Sequence, residues 1–317
     1  MSPEKLRVGI VGASINASWG PQTHVPAIKA LPEYELVAVC TAHSESAKAS
    51  AEQFGARLAF HDHREMVTHP DVDVVTVSVR VPTHHQVTMD ALAAGKHVYT
   101  EWPLALNAFE AQEMADLARA KGVRTMVGLQ SRAAPVNLRI KELVEEGYLG
   151  KVQACHLTQL AGSPLQRTSA RTWQRHRNMG ANPLTISFGH TIDIFCHCFG
   201  DFSELSAAVT TEEPQWYETD TERYVGVTAP DNILVNSVCP ALIHTPLWDR
   251  LADSLIPAVG HTREEVFQNL ANQTLVIKRY GTVEEVSALV AFLASERASF
   301  ITGSAYDVDG GFTKSMF

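Results

Sequence analysis

The chain has 317 residues, of which 45% are hydrophobic and 19% are charged. This length is typical of about two domains, and the composition is that of a globular protein with a hydrophobic core. The formal net charge of −9 argues against sequence-independent nucleic-acid binding, which needs a basic face. No apolar run approaches the roughly 18 residues of a membrane span. The N-terminus also lacks an apolar signal-peptide core, so we expect a cytoplasmic protein that does not contact the membrane.

The five cysteines are scattered and odd in number, which argues against a disulfide framework. Cys196 and Cys198 flank His197 and could be metal ligands. They lie in an apolar helical stretch, and neighbours two positions apart do not share a helix face. We therefore favour buried thiols, and no metal site is predicted.

The first predicted element is a buried parallel strand over residues 6–12, which ends in glycine. A loop over residues 13–22 separates it from a helical pattern that starts near Thr23. Glycines of this kind let backbone N–H groups approach a pyrophosphate at a helix N-terminus. The match to the dinucleotide fingerprint is partial because the loop carries an insertion, so a plain strand–turn–helix is the alternative. The candidate cofactor-binding residues of this turn are Gly9, Gly12, Ser14, Asn16 and Trp19.

The second predicted strand, residues 35–40, comes where a second Rossmann strand should lie. An acidic residue at its end would bind the ribose hydroxyls of NAD. The residues there are Thr41, Ala42, His43 and Ser44, and none is acidic. A 2′-phosphate held by Ser44 or His43 would suit this end, so NADP is favoured over NAD. A degraded cofactor site is the alternative.

Strands and helices alternate through the next hundred residues. A β-branched strand over residues 72–79 leads to Pro82-Thr83-His84, at the edge where ligands bind in doubly wound folds. A helix stops at Gly95, and a strand follows that ends at Glu101-Trp102-Pro103. Asn107 and Glu110 resemble a capping box that opens the next helix. The alternation predicts an α/β fold with a doubly wound parallel sheet.

Several motifs in this half resemble the glucose–fructose oxidoreductase, inositol dehydrogenase and MocA family, over about residues 6–211. Within the family the chain looks most like the branch that contains the fungal galactose-regulon repressor, a regulator that binds a dinucleotide. The motifs, in chain order, are Thr23-His24-Val25-Pro26-Ala27-Ile28, Pro82-Thr83-His84, Gly95-Lys96-His97-Val98, Glu101-x-Pro103-Leu104-Ala105, Arg132, Gly147-Tyr148-Leu149-Gly150-Lys151-Val152 and Phe188-Gly189-His190-Thr191-Ile192-Asp193.

The resemblance implies cofactor contacts at His84, Glu101, Trp102 and Arg132. Family enzymes usually carry lysine where this chain has Trp102, and an indole cannot transfer a proton. The other acid–base candidate of the family matches His190. Asp193 lies one helical turn on and could orient or charge-stabilise the imidazole. A structural histidine in a helix is the alternative.

The resemblance stops after about Thr221. The remaining chain is similar to the last third of short-chain dehydrogenases, in the motif 229–246, in Tyr280-Gly281-Thr282 and in the terminal stretch 301–311. Thr282 and Glu285 predict a capping box. The catalytic tyrosine–lysine pair of that second family is absent, because Thr228 stands four residues after Tyr224. We interpret this segment as a grafted structural tail whose apolar helix face should be buried, which predicts a homo-oligomer.

The predicted architecture is a Rossmann domain over residues 1–130, the start of an α/β substrate domain over 131–221, and a short-chain-dehydrogenase-like segment over 222–317. The leading hypothesis is an NAD(P)-dependent oxidoreductase that acts on a sugar, a polyol or a related compound, with His190 as acid–base. The alternatives are a catalytically silent dinucleotide-binding regulator and a hybrid chain without an evolved function.

Overall fold

A computed structural model describes residues 5–16, 19–150, 152, 155, 157, 165–202, 207–234, 237–259, 262–293, 295–298, 301 and 305–312. By internal contacts the chain divides into two units. The first contains residues 1–141, 163–199 and 213–230, and the second contains residues 142–162, 200–212 and 231–317. The units therefore alternate along the chain, whereas the segments drawn from the sequence are consecutive.

The first unit is built on a parallel sheet with the strand order β3-β2-β1-β4-β5-β6. This order places the first strand at the centre, with successive strands added on both sides, and it is the order of a Rossmann fold. The prediction of a doubly wound parallel sheet is confirmed. Its strands are β1 Leu6–Val11, β2 Tyr34–Cys40, β3 Leu58–Phe60, β4 Val74–Val77, β5 His97–Glu101 and β6 Thr125–Gly128.

Helices connect these strands and cover both faces of the sheet. They are α1 Trp19–Gln22, α2 His24–Ala30, α3 Ser44–Phe54, α4 His63–Thr68, α5 His84–Ala93, α6 Ala108–Lys121 and α7 Pro135–Glu145. The side chain of Asn107 accepts a hydrogen bond from the Glu110 backbone N–H at 3.0 Å, and Glu110 accepts one from the Leu106 N–H at 3.0 Å. These bonds satisfy backbone donors that no helical partner can reach, and they confirm the helix start predicted at Asn107.

The core of this sheet consists of β-branched and aliphatic side chains. Val37, Val75 and Val77 are fully buried, and Leu92 of α5 packs with them. Burial of each such side chain contributes about 1.5–3 kcal/mol. The run of valines predicted this, because strands of a parallel sheet are covered on both faces.

The rest of the first unit contains a smaller sheet and a helix. Its strand order is β10-β9-β7, in which β9 pairs antiparallel with β10 and parallel with β7. A π-helical turn, Leu184–Phe188, leads directly into helix α8, so the helix predicted over residues 184–199 begins as a π turn. The elements are β7 Gln166–Arg167, α8 Gly189–Phe199, β9 Gln215–Glu218 and β10 Arg223–Gly226.

The second unit pairs β8 antiparallel with β11, and β12 parallel with β13. Thr282 accepts a hydrogen bond from the Glu285 N–H at 3.2 Å, and Glu285 accepts one from the Thr282 N–H at 2.9 Å. The predicted capping box is therefore confirmed. The elements of this unit are β8 Ala208–Thr210, β11 Asn232–Leu234, β12 Ser237–Pro240, α9 Pro246–Val259, α10 Arg263–Thr274, α11 Val283–Leu293 and β13 Ala305–Val308.

Part of the predicted strand over residues 152–160 lies outside the described residues, as do Leu205 and Ser206 of the strand predicted over 205–211. Among the residues that are described, none of the helices combines the length and the apolar character needed to cross a membrane.

Candidate functional site

The turn after β1 depends on Gly12. Its φ is +102°, and a Cβ at this position would lie 2.0 Å from the carbonyl oxygen of Ser78. Only glycine fits this conformation and this close approach. The Gly12 N–H donates to Cys40 O at 2.9 Å, which ties the turn to the end of β2. The sequence thus places a glycine where the central strand of the sheet must turn.

Gly9 lies inside β1, where an added Cβ would come 3.0 Å from the sulfur of Met66 and 3.3 Å from Val72. The lack of a side chain makes room for these core residues. Gly9 is thus in the strand and not in the turn, and its contact with a cofactor stays a prediction.

The other predicted residues of the turn lie on its surface. The hydroxyl of Ser14 accepts a hydrogen bond from the Asn16 N–H at 3.4 Å, and Asn16 and Trp19 are exposed. Ala17 and Ser18, between them, are outside the described residues. Contact of Ser14, Asn16 and Trp19 with a cofactor stays a prediction.

The end of β2 presents polar groups without a carboxylate. Thr41 is buried, and its hydroxyl donates to His43 O at 3.1 Å. His43 and Ser44 are exposed at the start of α3, and the first acidic residue after the strand is Glu45 in the first turn of that helix. This end of β2 offers imidazole and hydroxyl groups to a ligand.

His84 is buried and points into the protein. Its side chain is only 1% exposed, Nδ1 lies 2.8 Å from Pro103 O, and Nε2 lies 3.1 Å from Val79 O. Burial lowers the pKa of His84 below its ordinary value. A neutral imidazole donates to only one of these carbonyls, and the ring lies between the loops after β4 and β5. Contact of His84 with a cofactor stays a prediction.

Glu101 ends β5 and is paired with His24 of α2. The Oε1 atom of Glu101 lies 2.5 Å from Nε2 of His24, and the two side chains are only 12% and 15% exposed. The ring of His24 also packs edge-on against Tyr99. Gly128 on the neighbouring strand leaves the space that Glu101 occupies, since a Cβ there would lie 2.7 Å from Oε2. The pair links the helix after the dinucleotide turn to the loop that carries Trp102.

His24 was not among the predicted site residues, although it lies in a motif of the family resemblance. Its short-range neighbours on α2 give no sign of a partner 77 residues away. The signal available in the sequence was that His24 and Glu101 both lie in motifs predicted at the same edge of the sheet.

The indole N–H of Trp102 forms a hydrogen bond within the protein. The indole Nε1 donates to the backbone carbonyl of Thr185 at 2.7 Å. The ring also covers Gly189, where an added Cβ would lie 2.8 Å from Cζ2 and Nε1. Trp102 therefore packs against the turn that leads into α8, and its N–H is bonded within the protein.

His190 stands next to Trp102, with the ring centroids 6.3 Å apart. Its Nδ1 atom is buried and has no hydrogen-bond partner among the residues that the structure describes. Burial lowers the pKa of His190, while the negative charges of Asp193 and Glu101 oppose that change. A buried imidazole nitrogen without a partner is uncommon in a folded protein, which makes His190 a candidate functional residue.

Asp193 is held by Arg132. The guanidinium Nε donates to Oδ2 at 2.9 Å, and NH2 donates to Oδ1. This hydrogen bonding raises the pKa of Arg132. The carboxylate is bound to this guanidinium, and the role of Asp193 in orienting or charge-stabilising His190 stays a prediction. Asp193 affects the imidazole through its charge. Contact of Arg132 with a cofactor stays a prediction, and it would use N–H groups that do not bind Asp193.

Models of known protein families match three stretches of the chain. A model described as an oxidoreductase family with an NAD-binding Rossmann fold matches residues 6–129. Residues 6–129 therefore match this oxidoreductase family, in keeping with the Rossmann strand order of the first unit. A model of the C-terminal domain of Gal80p matches residues 135–241, and one described as enoyl-(acyl carrier protein) reductase matches residues 221–313. Both resemblances found in the sequence are confirmed.

The curated relatives include enzymes and a regulator. Dehydrogenase aclE of Aspergillus oryzae is 34% identical over 228 residues, which are 69% of this chain and 62% of that protein. Levoglucosan dehydrogenase of Pseudarthrobacter phenanthrenivorans is 28% identical over 220 residues, 67% of this chain and 56% of the enzyme. The galactose/lactose metabolism regulatory protein GAL80 of Saccharomyces cerevisiae is 27% identical over 246 residues, 72% of this chain and 57% of the regulator.

A crystal structure of a super-repressor mutant of Gal80p from Saccharomyces cerevisiae superposes with a TM-score of 0.67 at 27% identity. The superposition covers 73% of this chain and 63% of Gal80p. The chain thus spans 56% to 63% of the length of these three relatives. The shared fold covers the Rossmann domain and reaches beyond it.

Proposed function

We propose that the chain is an NAD(P)-dependent oxidoreductase that acts on a sugar, a polyol or a related hydroxyl or carbonyl compound. The observation that carries this proposal is the buried, unpartnered Nδ1 of His190. Relatives named as dehydrogenases, one of them for levoglucosan, support the reaction type and the substrate class. Fold alone would not, because one fold hosts many functions.

In the proposed reaction, His190 accepts the proton of a substrate hydroxyl as the carbon of that hydroxyl loses a hydride and becomes a carbonyl. Burial keeps the imidazole neutral and so able to act as a base near pH 7. The charge of Asp193 stabilises the imidazolium that forms. The bound nicotinamide supplies the hydride acceptor, or the donor in the reverse direction.

The residues at the carboxyl edge of the sheet fit a dinucleotide. Gly12 forms the tight turn after β1, and His43 and Ser44 are exposed after β2. We propose that these two residues hold a 2′-phosphate, so that NADP is preferred to NAD. A carboxylate at the end of β2 would bind ribose hydroxyls and repel that phosphate. Residues 41–44, which follow β2, include no acidic residue, and the first one after the strand is Glu45.

A second candidate function is a catalytically silent regulator that binds a dinucleotide. Two observations favour it: the only N–H of Trp102 is bonded to Thr185 O, and Asp193 is bonded to Arg132. The similarity to GAL80 is in keeping with this function. With Trp102 and Asp193 bonded within the protein, fewer polar groups remain at this site to bind a substrate.

Turnover separates the two candidates. Sugars and polyols are screened with NAD⁺ and NADP⁺, and absorbance of the reduced nicotinamide is followed. The enzyme proposal predicts turnover that falls by 100-fold or more, on the order of a lost acid–base group, in His190→Ala. His176→Ala, a change of an exposed histidine in the same unit, should leave it unaltered. Saturable cofactor binding without turnover of any compound would favour the regulator.

We also propose that the chain forms a homo-oligomer through α11. Val283 and Val290 of this helix lie two turns apart on one face, and both are exposed. Apolar side chains that lie together on one helix face are more stable when covered by another surface. A second copy of the chain is the partner that this proposal names.

A further inference from the structure

The loop after β5 lies against the segment that leads into α8. Trp102 donates its indole N–H to Thr185 O, a residue 83 positions later in the sequence. The same loop approaches Gly180, where a Cβ would lie 2.8 Å from Cδ2 of Leu106. Gly180 and Gly189 thus provide the surface on which the Leu106 and Trp102 side chains rest.

Thr185 is the fixed point of that segment. Its hydroxyl donates to Gly180 O at 2.8 Å and accepts from the Asn182 N–H at 3.1 Å. Its own N–H donates to the side chain of Asn182, which is buried. These bonds form a rigid turn around Thr185 and leave its carbonyl oxygen to the indole.

The turn continues as the π-helical stretch Leu184–Phe188, and α8 begins at the next residue, Gly189. π-helical turns are rare and often occur at functional sites. Here the stretch ends two residues before His190. The position of the imidazole is therefore set by the turn on which Trp102 packs.

We propose that Trp102 is a positioning residue for His190. Its N–H bond to Thr185 O and its contact with Gly189 hold the π-helical turn, and its ring shields the buried face of the imidazole from water. Trp102 thereby replaces a proton donor with a structural contact, and it leaves His190 as the proton-handling group. The functional meaning of this inference rests on the proposed role of His190.

The charged groups that face the imidazole are Asp193 on its own helix and Glu101 at the end of β5. Arg132 neutralises part of the Asp193 charge, and His24 is paired with Glu101. Both carboxylates are held by partners other than Trp102. A change of Trp102 should therefore act on His190 through burial, and burial keeps its pKa low.

The test follows His190 by NMR in the full chain without cofactor or substrate, so its result is independent of the proposed function. In Trp102→Phe, which keeps a ring but loses the N–H, the pKa of His190 should rise toward its ordinary value. Trp173→Phe is the matched control, because no hydrogen bond is formed by the indole of that residue in the described part of the chain. This control substitution should leave the pKa of His190 unchanged.

A second variant keeps Trp102 and displaces its ring. Gly189→Ala introduces a Cβ 2.8 Å from the indole, whereas Gly226→Ala on β10 introduces one with nothing within 4 Å. The first should raise the pKa of His190 and the second should not. If Trp102→Phe fails to fold, this pair carries the test.

A third measurement uses the unaltered protein. Hydrogen exchange of the indole N–H should be slow at Trp102 and fast at the exposed Trp19. Equal exchange at the two indoles would overturn the inference. So would an unchanged His190 in folded Trp102→Phe, or equal changes in the variants and their controls.

Discussion

At the residue scale, the site depends on polar side chains that were paired during folding with partners far away in the sequence. Glu101 is paired with His24, Asp193 with Arg132, and Trp102 with the backbone of Thr185. His190 is the exception, since its Nδ1 is buried without a partner. The chemistry proposed for the chain therefore concentrates on one imidazole.

The Glu101–His24 pair should contribute measurably to stability. Glu101→Ala leaves a largely buried imidazole without its carboxylate, and we expect a loss of about 1–3 kcal/mol in the free energy of unfolding. The matched control is Glu113→Ala. That carboxylate lies 3.1 Å from His85 but is 42% exposed, so its loss should cost less than about 1 kcal/mol. Urea denaturation measures both, and equal losses would contradict the account of a buried pair.

Gly12 should tolerate no side chain. Gly12→Ala combines a φ of +102° with a Cβ 2.0 Å from Ser78 O, and we expect a loss of about 3 kcal/mol or more. Gly55→Ala isolates the backbone part, because its φ is +69° and its Cβ would meet nothing within 4 Å. Its cost should be about 1–2 kcal/mol. Thermal unfolding measures both variants, and a loss of stability in Gly12→Ala no larger than that in Gly55→Ala would refute the clash.

The buried imidazoles should make stability depend on pH. Burial lowers the pKa of His84 and His190 in the folded protein. Below the ordinary value of 6.5 the unfolded chain therefore takes up protons that the folded chain does not, so stability falls as the pH drops from 6.5 toward the lowered values. His190→Gln should lose less stability than the unaltered protein between pH 7 and pH 5. An equal loss would show that His190 titrates alike in both states.

At the scale of elements, caps and glycines predicted helix boundaries well. Asn107 with Glu110 and Thr282 with Glu285 form the expected contacts, because capping is decided by residues three positions apart. Longer-range roles were not accessible in this way. Gly9 was assigned to the turn because a glycine in a strand looks the same in sequence as one in a loop.

Helix α11 leads to a prediction about assembly. Its exposed side chains Val283 and Val290, which share one helix face, should form a contact between copies of the chain. Val283→Glu with Val290→Glu should shift the protein to monomers in sedimentation velocity, because burial of two carboxylates in an apolar contact is unfavourable. The matched change of the exposed Met126 and Phe109 on β6 and α6 should leave the assembly unchanged. A monomer before any substitution would rule out the proposed contact.

At the scale of the whole molecule, different parts of the chain match models of different families. The Gal80p C-terminal model ends at residue 241, and the reductase model begins at residue 221. The tail forms its own parallel pair, β12 with β13. The chain spans 56% to 62% of the length of the curated relatives described above, so it carries part of what they contain.

The sequence predicted the Rossmann sheet because valine-rich strands and intervening helices repeat a local pattern with few possible topologies. The tail was located from its resemblance to short-chain dehydrogenases, and a reductase model that matches residues 221–313 confirms that resemblance. The sequence could not show that His84 turns inward toward Pro103 O, or that the indole of Trp102 reaches Thr185, since these contacts depend on how distant segments pack. The correct motif was found in both cases, and the direction of the side chain was not.

Both proposed functions require that the chain bind a dinucleotide, so this binding is the first property to measure. NADH and NADPH are titrated into the purified full-length chain, and the fluorescence of Trp19 and Trp102 is followed. The account predicts saturable binding, tighter for NADPH, and weaker binding of NADPH in Ser44→Glu, which places a carboxylate beside the 2′-phosphate. Absence of binding of either nucleotide at millimolar concentration would contradict both the enzyme and the regulator, and with them the reading of the first unit as a working cofactor domain.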